Sequence, residues 1–267
     1  MNIGKQVRLN RLFSHSSGRL CSVAVDHFIN YGQGVPAGLA DIAGTLAQIV
    51  EGKPDAVTMH RGIAASAWGP FAGRVPFILQ SSICRPDDSC MEQIAEPLDA
   101  VRLGADAFAV AALIRGATEG KYLKVTAECV KAAAPYDMPV ICHIYPRKFG
   151  KSVEISFAPE DIAWAVRCAL EIGVDVIKTP YCNDVKAFGQ IVRECPVPVV
   201  AAGGPKTETM EQSLAMLQDV VRSGARGATI GRNIWAAPNV AKAVRAVKYV
   251  IHEGMSPKEA LRLAKAG

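Results

Sequence analysis

Lys178 closes a short apolar run, Val174-Asp175-Val176-Ile177-Lys178-Thr179-Pro180, and is the first residue to weigh as a covalent nucleophile. A strand alternates its faces with period two, so Lys178 points the same way as Val176, either into a closed sheet or out toward flanking helices. Pointed inward, its ammonium is partly desolvated. Desolvation disfavours the charged form, lowers a lysine's pKa and frees the amine to attack a carbonyl and form a Schiff base. Spacing alone fits equally well a strand-end lysine that snorkels to water. Tyr145 ends a similar run one repeat earlier, Cys142-His143-Ile144-Tyr145-Pro146-Arg147. A phenol beside an iminium could transfer the protons that carbon–carbon cleavage requires, although a bare tyrosine also serves as an ordinary pocket wall.

Two glycine turns follow later apolar runs: Ala201-Ala202-Gly203-Gly204-Pro205-Lys206 and Ile230-Gly231-Arg232-Asn233. Glycine lets backbone N–H groups approach a phosphate, and a following helix start adds partial positive charge. With Arg232 attached, the pair reads as a phosphate site, with Lys206 as a further cation; ordinary tight turns are the alternative. Asn233 to Ala237 could supply a short extra helix, with Pro238 opening the next. Three histidines, His27, His60 and His143, together with Asp26, could in principle hold Zn²⁺, but no HxH or HExxH spacing supports it. They are read as core or substrate-contacting residues, and no metal is expected.

These residues need a frame that gathers them. Eight β-rich apolar runs recur: 20–25, 56–59, 77–79, 107–111, 140–144, 174–177, 197–201 and 228–230. Their starts lie roughly 20 to 36 residues apart, as βα units with short loops require. Helical periodicity fills most of the gaps, over 41–50, 91–103, 122–134, 160–172, 185–193 and 210–222, while the link from His60 to Arg74 has room for only a brief helix. Gly104, Gly173 and Gly224 stand where a left-handed turn would end three of these helices. Eight consecutive units without a large interruption favour a single-domain (β/α)8 TIM barrel over residues 1–267, rather than an open doubly wound sheet. In such a barrel the site forms at the C-terminal ends of the strands, where Asp26, His27, His60, Ser81, Tyr145, Lys178, Gly203, Gly204, Gly231 and Arg232 all fall.

Half of the 267 residues are apolar and 21% are charged, which excludes a disordered chain. No run of about 18 apolar residues appears, and Lys5, Arg8 and Arg11 interrupt the first segment, so neither a membrane span nor a signal peptide is expected. A soluble, cytoplasmic protein is the expectation. The eight cysteines show no CxxC spacing and read as free thiols. The formal charge of +5 is uneven: nine Lys or Arg and two acids lie from Arg222 onward, a net of +7, leaving −2 before it. Lys242, Arg245, Lys248, Lys258, Arg262 and Lys265 have the spacing of solvated helix faces, so no nucleic-acid partner is expected.

The motifs together resemble those of the archaeal-type class I fructose-bisphosphate aldolases and related Schiff-base aldolases and synthases. The matching pieces are Val25-Asp26-His27, Tyr145-Pro146-Arg147, Val176-Ile177-Lys178-Thr179, Ala202-Gly203-Gly204-Pro205-Lys206 and Gly231-Arg232-Asn233-Ile234-Trp235, in the family's order across almost the whole chain. The resemblance implies Lys178 as the Schiff-base lysine, Tyr145 as the proton donor and Asp26 near the cleaved bond. It further implies Gly203, Gly204, Gly231 and Arg232 as phosphate ligands, a covalent imine in place of any cofactor, and a homo-oligomer, often a decamer of pentameric rings. The implied reaction is metal-independent cleavage of fructose 1,6-bisphosphate to dihydroxyacetone phosphate and glyceraldehyde 3-phosphate. Two departures bear on which sugar is used: Phe28 stands where the family usually has Gly, and His143 where a Trp often stands. The alternatives keep the lysine and change the reaction, to a transaldolase-like 2-amino-3,7-dideoxy-D-threo-hept-6-ulosonate synthase or an autoinducer-2 phosphate thiolase. From other classes come a non-enzymatic phosphate-ligand or RNA-binding barrel, and a zinc hydrolase.

Overall fold

The computed structural model describes residues 2–27, 29 and 34–266. Phe28, one of the two departures above, lies outside the described residues. The eight apolar runs form eight parallel barrel strands: β1 (Leu20–Ala24), β2 (Ala56–His60), β3 (Phe77–Gln80), β4 (Ala107–Ile114), β5 (Val140–Phe149), β6 (Val176–Thr179), β7 (Val199–Ala202) and β8 (Gly227–Ile230). Each pairs in parallel with the next, and β8 pairs with β1 through Cys21 opposite Ala228, so the sheet closes on itself. This is a (β/α)8 barrel.

Alternation sorts the strand residues into two cores. Outward residues such as Val23, Val57, Leu79, Phe108, Cys142 and Ile177 pack beneath the surrounding helices. Inward residues split by height. Low in the barrel, Leu20, Ile78, Ile141, Val176 and Val200 form an apolar layer that also contains Leu12 and is covered by Leu9 and Phe13. The N-terminal helix Ile3–Leu12 therefore caps the lower end of the barrel and removes water from it. Higher up the inward positions turn polar, with Ser22, Thr58, His60, Gln80, His143 and Lys178 all buried. Sealing below and polarity above leave one end for chemistry.

Local rules place the helices. Asp184 caps Val185–Glu194 by accepting from the N–H groups of Lys186 and Ala187, and Thr209 with Gln212 forms a capping box on Met210–Arg222. Gly104, Gly173 and Gly224 take φ of +73°, +88° and +87°, as expected of glycines past a helix end. The brief helix after β2 is Arg61–Ala67, followed by a single 3-10 turn at Gly69–Phe71.

Four expectations need correction. The stretch 91–103 is not one helix: Met91–Gln93 pairs antiparallel with Ser82–Cys84 as a hairpin, and a helix begins only at Pro97. Proline favours the first helical turn, and Glu96 with Asp99 closes a capping box there, so local chemistry resets the helix start. The fifth strand does not stop at Tyr145 but runs on to Phe149, because Val153–Ile155 folds back antiparallel on its end. The last long helix, Val240–Glu253, is capped by Asn239 rather than opened by Pro238. Its basic face is also less wet than its spacing suggested. Lys242, Arg245 and Lys248 are half-buried, with Arg245 3.6 Å from Glu51 and Lys248 3.8 Å from Asp55. All eight cysteines are unpaired, and no helix among the described residues is long and apolar enough to cross a membrane.

Candidate active site

Lys178 lies on β6 directly across from His143 on β5 and Val200 on β7. Val176, two residues earlier, belongs to the inner apolar layer, so the parity left open by the sequence resolves inward. Lys178 is 6% exposed and is the one buried lysine among the described residues. Burial lowers its pKa from the usual lysine range, while the Asp26 carboxylate pulls the other way.

Asp26 sits just past the end of β1 and anchors a buried polar network. Its Oδ2 accepts from Gln80 Nε2 at 3.0 Å, and its Oδ1 lies 3.4 Å from His27 Nδ1. The same Gln80 amide nitrogen is 3.3 Å from His143 Nδ1, while Gln80 Oε1 accepts from the Ser81 N–H at 3.2 Å. That arrangement makes His143 Nδ1 an acceptor and leaves its proton on Nε2. His60 spans two carbonyls, with Nδ1 3.2 Å from the oxygen of Gln80 and Nε2 3.3 Å from that of Asp26. Burial pushes His27 down to about 4 and His143 well below the usual histidine range. Burial also works against the Asp26 charge, yet His27, Lys178, His60 and His143 hold its pKa at about 2. Burial thus favours the neutral forms of His27, His143 and Lys178 alike, and the Asp26 carboxylate is the group that opposes it at Lys178.

Lys178 faces two adjoining cavities. The inner one, about 100 Å³, is bounded by Asp26, Gln80, His143 and Tyr145 together with Cys84 and Pro86 from the hairpin. The outer one, about 370 Å³, is bounded by Tyr145 and by Gly203, Gly204, Gly231 and Arg232. Tyr145 is two residues beyond His143 on β5, diagonal to Lys178, and is half-buried where the cavities meet. A larger, mostly apolar groove of about 810 Å³ starts beside Asp26 and His60 and runs over Leu39 and Ile63, without reaching Lys178.

The glycines of the outer cavity are there because backbones approach closely. A Cβ on Gly203 would stand 2.8 Å from the Ile230 Cα, and one on Gly231 would enter the His27 ring. Arg232 Nη2 donates to the Gly204 carbonyl at 3.3 Å, which ties the two turns together. Asn233 reinforces the tie by donating to the carbonyls of Gly203 (3.3 Å) and Pro205 (3.0 Å) and accepting from the Thr207 N–H at 3.0 Å. Lys206 is exposed and lines neither cavity, so it is not brought to the site. Among the described residues no group of three or more His, Cys, Asp or Glu is arranged to hold a metal ion.

The model of the DeoC/LacD family aldolases matches residues 20–237, every barrel strand included. The chain belongs to the DeoC/LacD aldolase family. It is 31% identical to an uncharacterized aldolase of Saccharolobus solfataricus over 98% of this chain and 100% of that one. It is 29% identical to the 2-amino-4,5-dihydroxy-6-oxo-7-(phosphonooxy)heptanoate synthase of Streptomyces griseus, covering 93% of this chain and 90% of the synthase. Among solved structures it is similar to an archaeal fructose-1,6-bisphosphate aldolase with its catalytic lysine covalently bound to the carbinolamine intermediate of the substrate. That match has a TM-score of 0.80 and 30% identity, over 93% of this chain and 99% of the other.

In this DeoC/LacD aldolase the arrangement brings together a buried amine, a carboxylate, a phenol, and a glycine-lined recess carrying a guanidinium. Two members of the site carry no role in the sequence reading. Gln80 ends an apolar strand beside the chosen Ser81, whose hydroxyl merely donates to the Ala109 carbonyl at 2.7 Å. Period-two alternation from inward Ile78 was the available signal for Gln80. Asn233 lies inside the matched motif, but nothing in its spacing marks it as the clasp between two turns.

Proposed function

We propose that this aldolase works through a Schiff base on Lys178, without a metal or cofactor, on a phosphorylated ketose, with fructose 1,6-bisphosphate as the first candidate. The observation that carries the reading is the one buried lysine among the described residues, inside the barrel, at the junction of a polar inner cavity and a glycine-lined outer one. Neutral Lys178 attacks the C2 carbonyl, whose oxygen takes up a proton to give a carbinolamine. Loss of water then leaves an iminium. Removal of the C4 hydroxyl proton breaks the C3–C4 bond, the aldehyde departs, and the bonding pair passes into the iminium as an enamine. Protonation at C3 and hydrolysis release dihydroxyacetone phosphate and restore the amine.

Tyr145 carries the proton at the C4 hydroxyl and at C3, and Asp26 takes the lysine proton and serves carbinolamine dehydration, roles usually worth ~10² to 10⁴ in rate. His27 and His143 bound the sugar as neutral hydrogen-bonding rings. Gly203, Gly204, Gly231 and Arg232 hold the phosphate next to C1, spending remote binding energy on position at C2. Sodium borohydride added with dihydroxyacetone phosphate or fructose 1,6-bisphosphate should fix a mass adduct on the peptide containing Lys178. No adduct, or turnover retained in Lys178→Arg, would overturn the assignment.

A second reading, a lysine-dependent synthase that joins the enamine to an acceptor aldehyde, is favoured by the likeness to the Streptomyces griseus synthase. Product analysis with fructose 1,6-bisphosphate alone and with added acceptor aldehydes separates the two: a new carbon–carbon product formed faster than simple cleavage supports the synthase.

A further inference from the structure

Among the described residues Arg147 is the largest fully buried side chain, yet it lines neither cavity. Its guanidinium is spent on the surrounding loops. Nη1 donates to the Pro86 carbonyl at 3.0 Å and to Asp88 Oδ1 at 2.8 Å, both in the loop of the 82–93 hairpin. Nη2 donates to the Arg115 carbonyl at 2.7 Å and to Thr118 Oγ1 at 2.8 Å, in the segment after β4. Asp88 is held from two further sides, by Thr118 Oγ1 at 2.7 Å and Tyr122 Oη at 2.9 Å, and carries a left-handed φ of +59°. The plane of the guanidinium lies over Tyr122 and Phe149. One buried cation thus joins three rim segments through its two terminal nitrogens, each of which donates twice, while Nε has no hydrogen-bond partner among the described residues.

What those segments carry gives the clamp its use. Cys84 and Pro86, on the hairpin that Arg147 grips, wall the inner cavity, as does Leu113 at the end of β4. Tyr145 is two residues before Arg147 on the same strand and faces the same cavity. The phosphate turns lie on the other side of Lys178, so a ketose anchored there with C2 at the lysine extends its C4 end into the inner cavity.

We infer that Arg147 is a positioning residue that fixes the wall against which the aldehyde half of the substrate is held, and so governs cleavage of long ketose phosphates without governing imine formation. The inference rests on the Schiff-base reading. Arg147→Lys keeps the charge, but an ammonium cannot reproduce the planar fork that reaches four acceptors. Dihydroxyacetone phosphate fills only the phosphate side, so its borohydride trapping on Lys178 should stay within about twofold of wild type. In the same variant kcat for fructose 1,6-bisphosphate cleavage should fall about 10- to 100-fold, the scale on which small misplacements act. Should Arg147→Lys fail to fold, Thr118→Val removes one acceptor and leaves the other three, and should show a smaller loss in the same direction. A folded variant that cleaves at the wild-type rate, or one in which trapping and cleavage fall in parallel, would overturn the positioning role alone. A wild-type protein that forms no adduct would overturn the Schiff-base reading and this inference with it.

Discussion

Asp26→Asn isolates the electrostatic part of the proposed mechanism, because it keeps the shape of the side chain and removes the one carboxylate lining the inner cavity. Asp26 and Lys178 are each 6% exposed, so water screens their interaction poorly. Opposite unit charges a few ångströms apart attract by about 3 to 4 kcal/mol at an effective dielectric of ~20, so the anion is a substantial counterweight to burial. Burial lowers the Lys178 pKa and Asp26 raises it, so removing the anion lets burial act unopposed. The amine then stays neutral to lower pH. The assay is the initial rate of borohydride-trapped adduct with dihydroxyacetone phosphate, followed by mass from pH 5 to 9. The acid limb should move to lower pH in the variant, because burial then acts on the amine without the opposing carboxylate. Cleavage should meanwhile slow, since the variant cannot carry the proton. A folded variant whose acid limb stays put would refute the idea that Asp26 sets the lysine's charge.

Two other perturbations probe different parts of the structure. Arg232→Ala should raise KM for phosphorylated ketoses by about 10- to 100-fold, the range set by losing hydrogen bonds to a charged group, and leave an unphosphorylated ketose unchanged; equal effects on both would remove Arg232 as the anchor. Acid should also unfold the protein early: an unfolded histidine binds a proton near 6.5, whereas folded His27 resists until about 4 and burial likewise holds folded His143 well below the usual range. The unfolded state therefore binds more protons in that window, stability falls as pH drops from about 6.5 toward 4, and His27 alone bounds its share at about 3 kcal/mol. Asp26, held at about 2, adds its own loss only below about 4. A Tm that stays level between pH 7 and 4.5 would contradict the burial of these rings.

The barrel was legible because each strand is an uninterrupted apolar run and each helix has its own period and cap; those signals are local. Lys178 and Tyr145 were legible for the same reason, as polar breaks at predictable heights. The orientation of Lys178 was not, since period two fixes that it matches Val176 but not which face that is. Closure of the sheet decides it. The hairpin at 82–93 hid in a helix-like stretch because what holds it is tertiary: backbone pairing to Ser82–Cys84 and the Arg147 clamp from a strand some 60 residues away. Gln80 was missed because its partners, Asp26 and His143, come from β1 and β5 and meet only inside the closed barrel. For Lys206, charge and proximity in sequence to a glycine pair say nothing of direction. The turn that brings Gly203 and Gly204 to the cavity carries Lys206 out to solvent.

A buried lysine is costly, and the chain places that cost where the rest of the fold can bear it. Below Lys178 the barrel is apolar and stoppered by Leu9, Leu12 and Phe13, so no water reaches the amine from that side. Around it, hydrogen bonds join Gln80, Asp26, His143 and His60, which limits the penalty of burying polar groups. Burial thus lowers the pKa of Lys178 with no sugar bound, and Asp26 in the polar ring opposes part of that shift. It follows that loosening the N-terminal helix, far from the cavities, would let water under the lysine and restore part of its ordinary basicity. The stability of the lower barrel and the reactivity of the upper one are two consequences of the same dry layer.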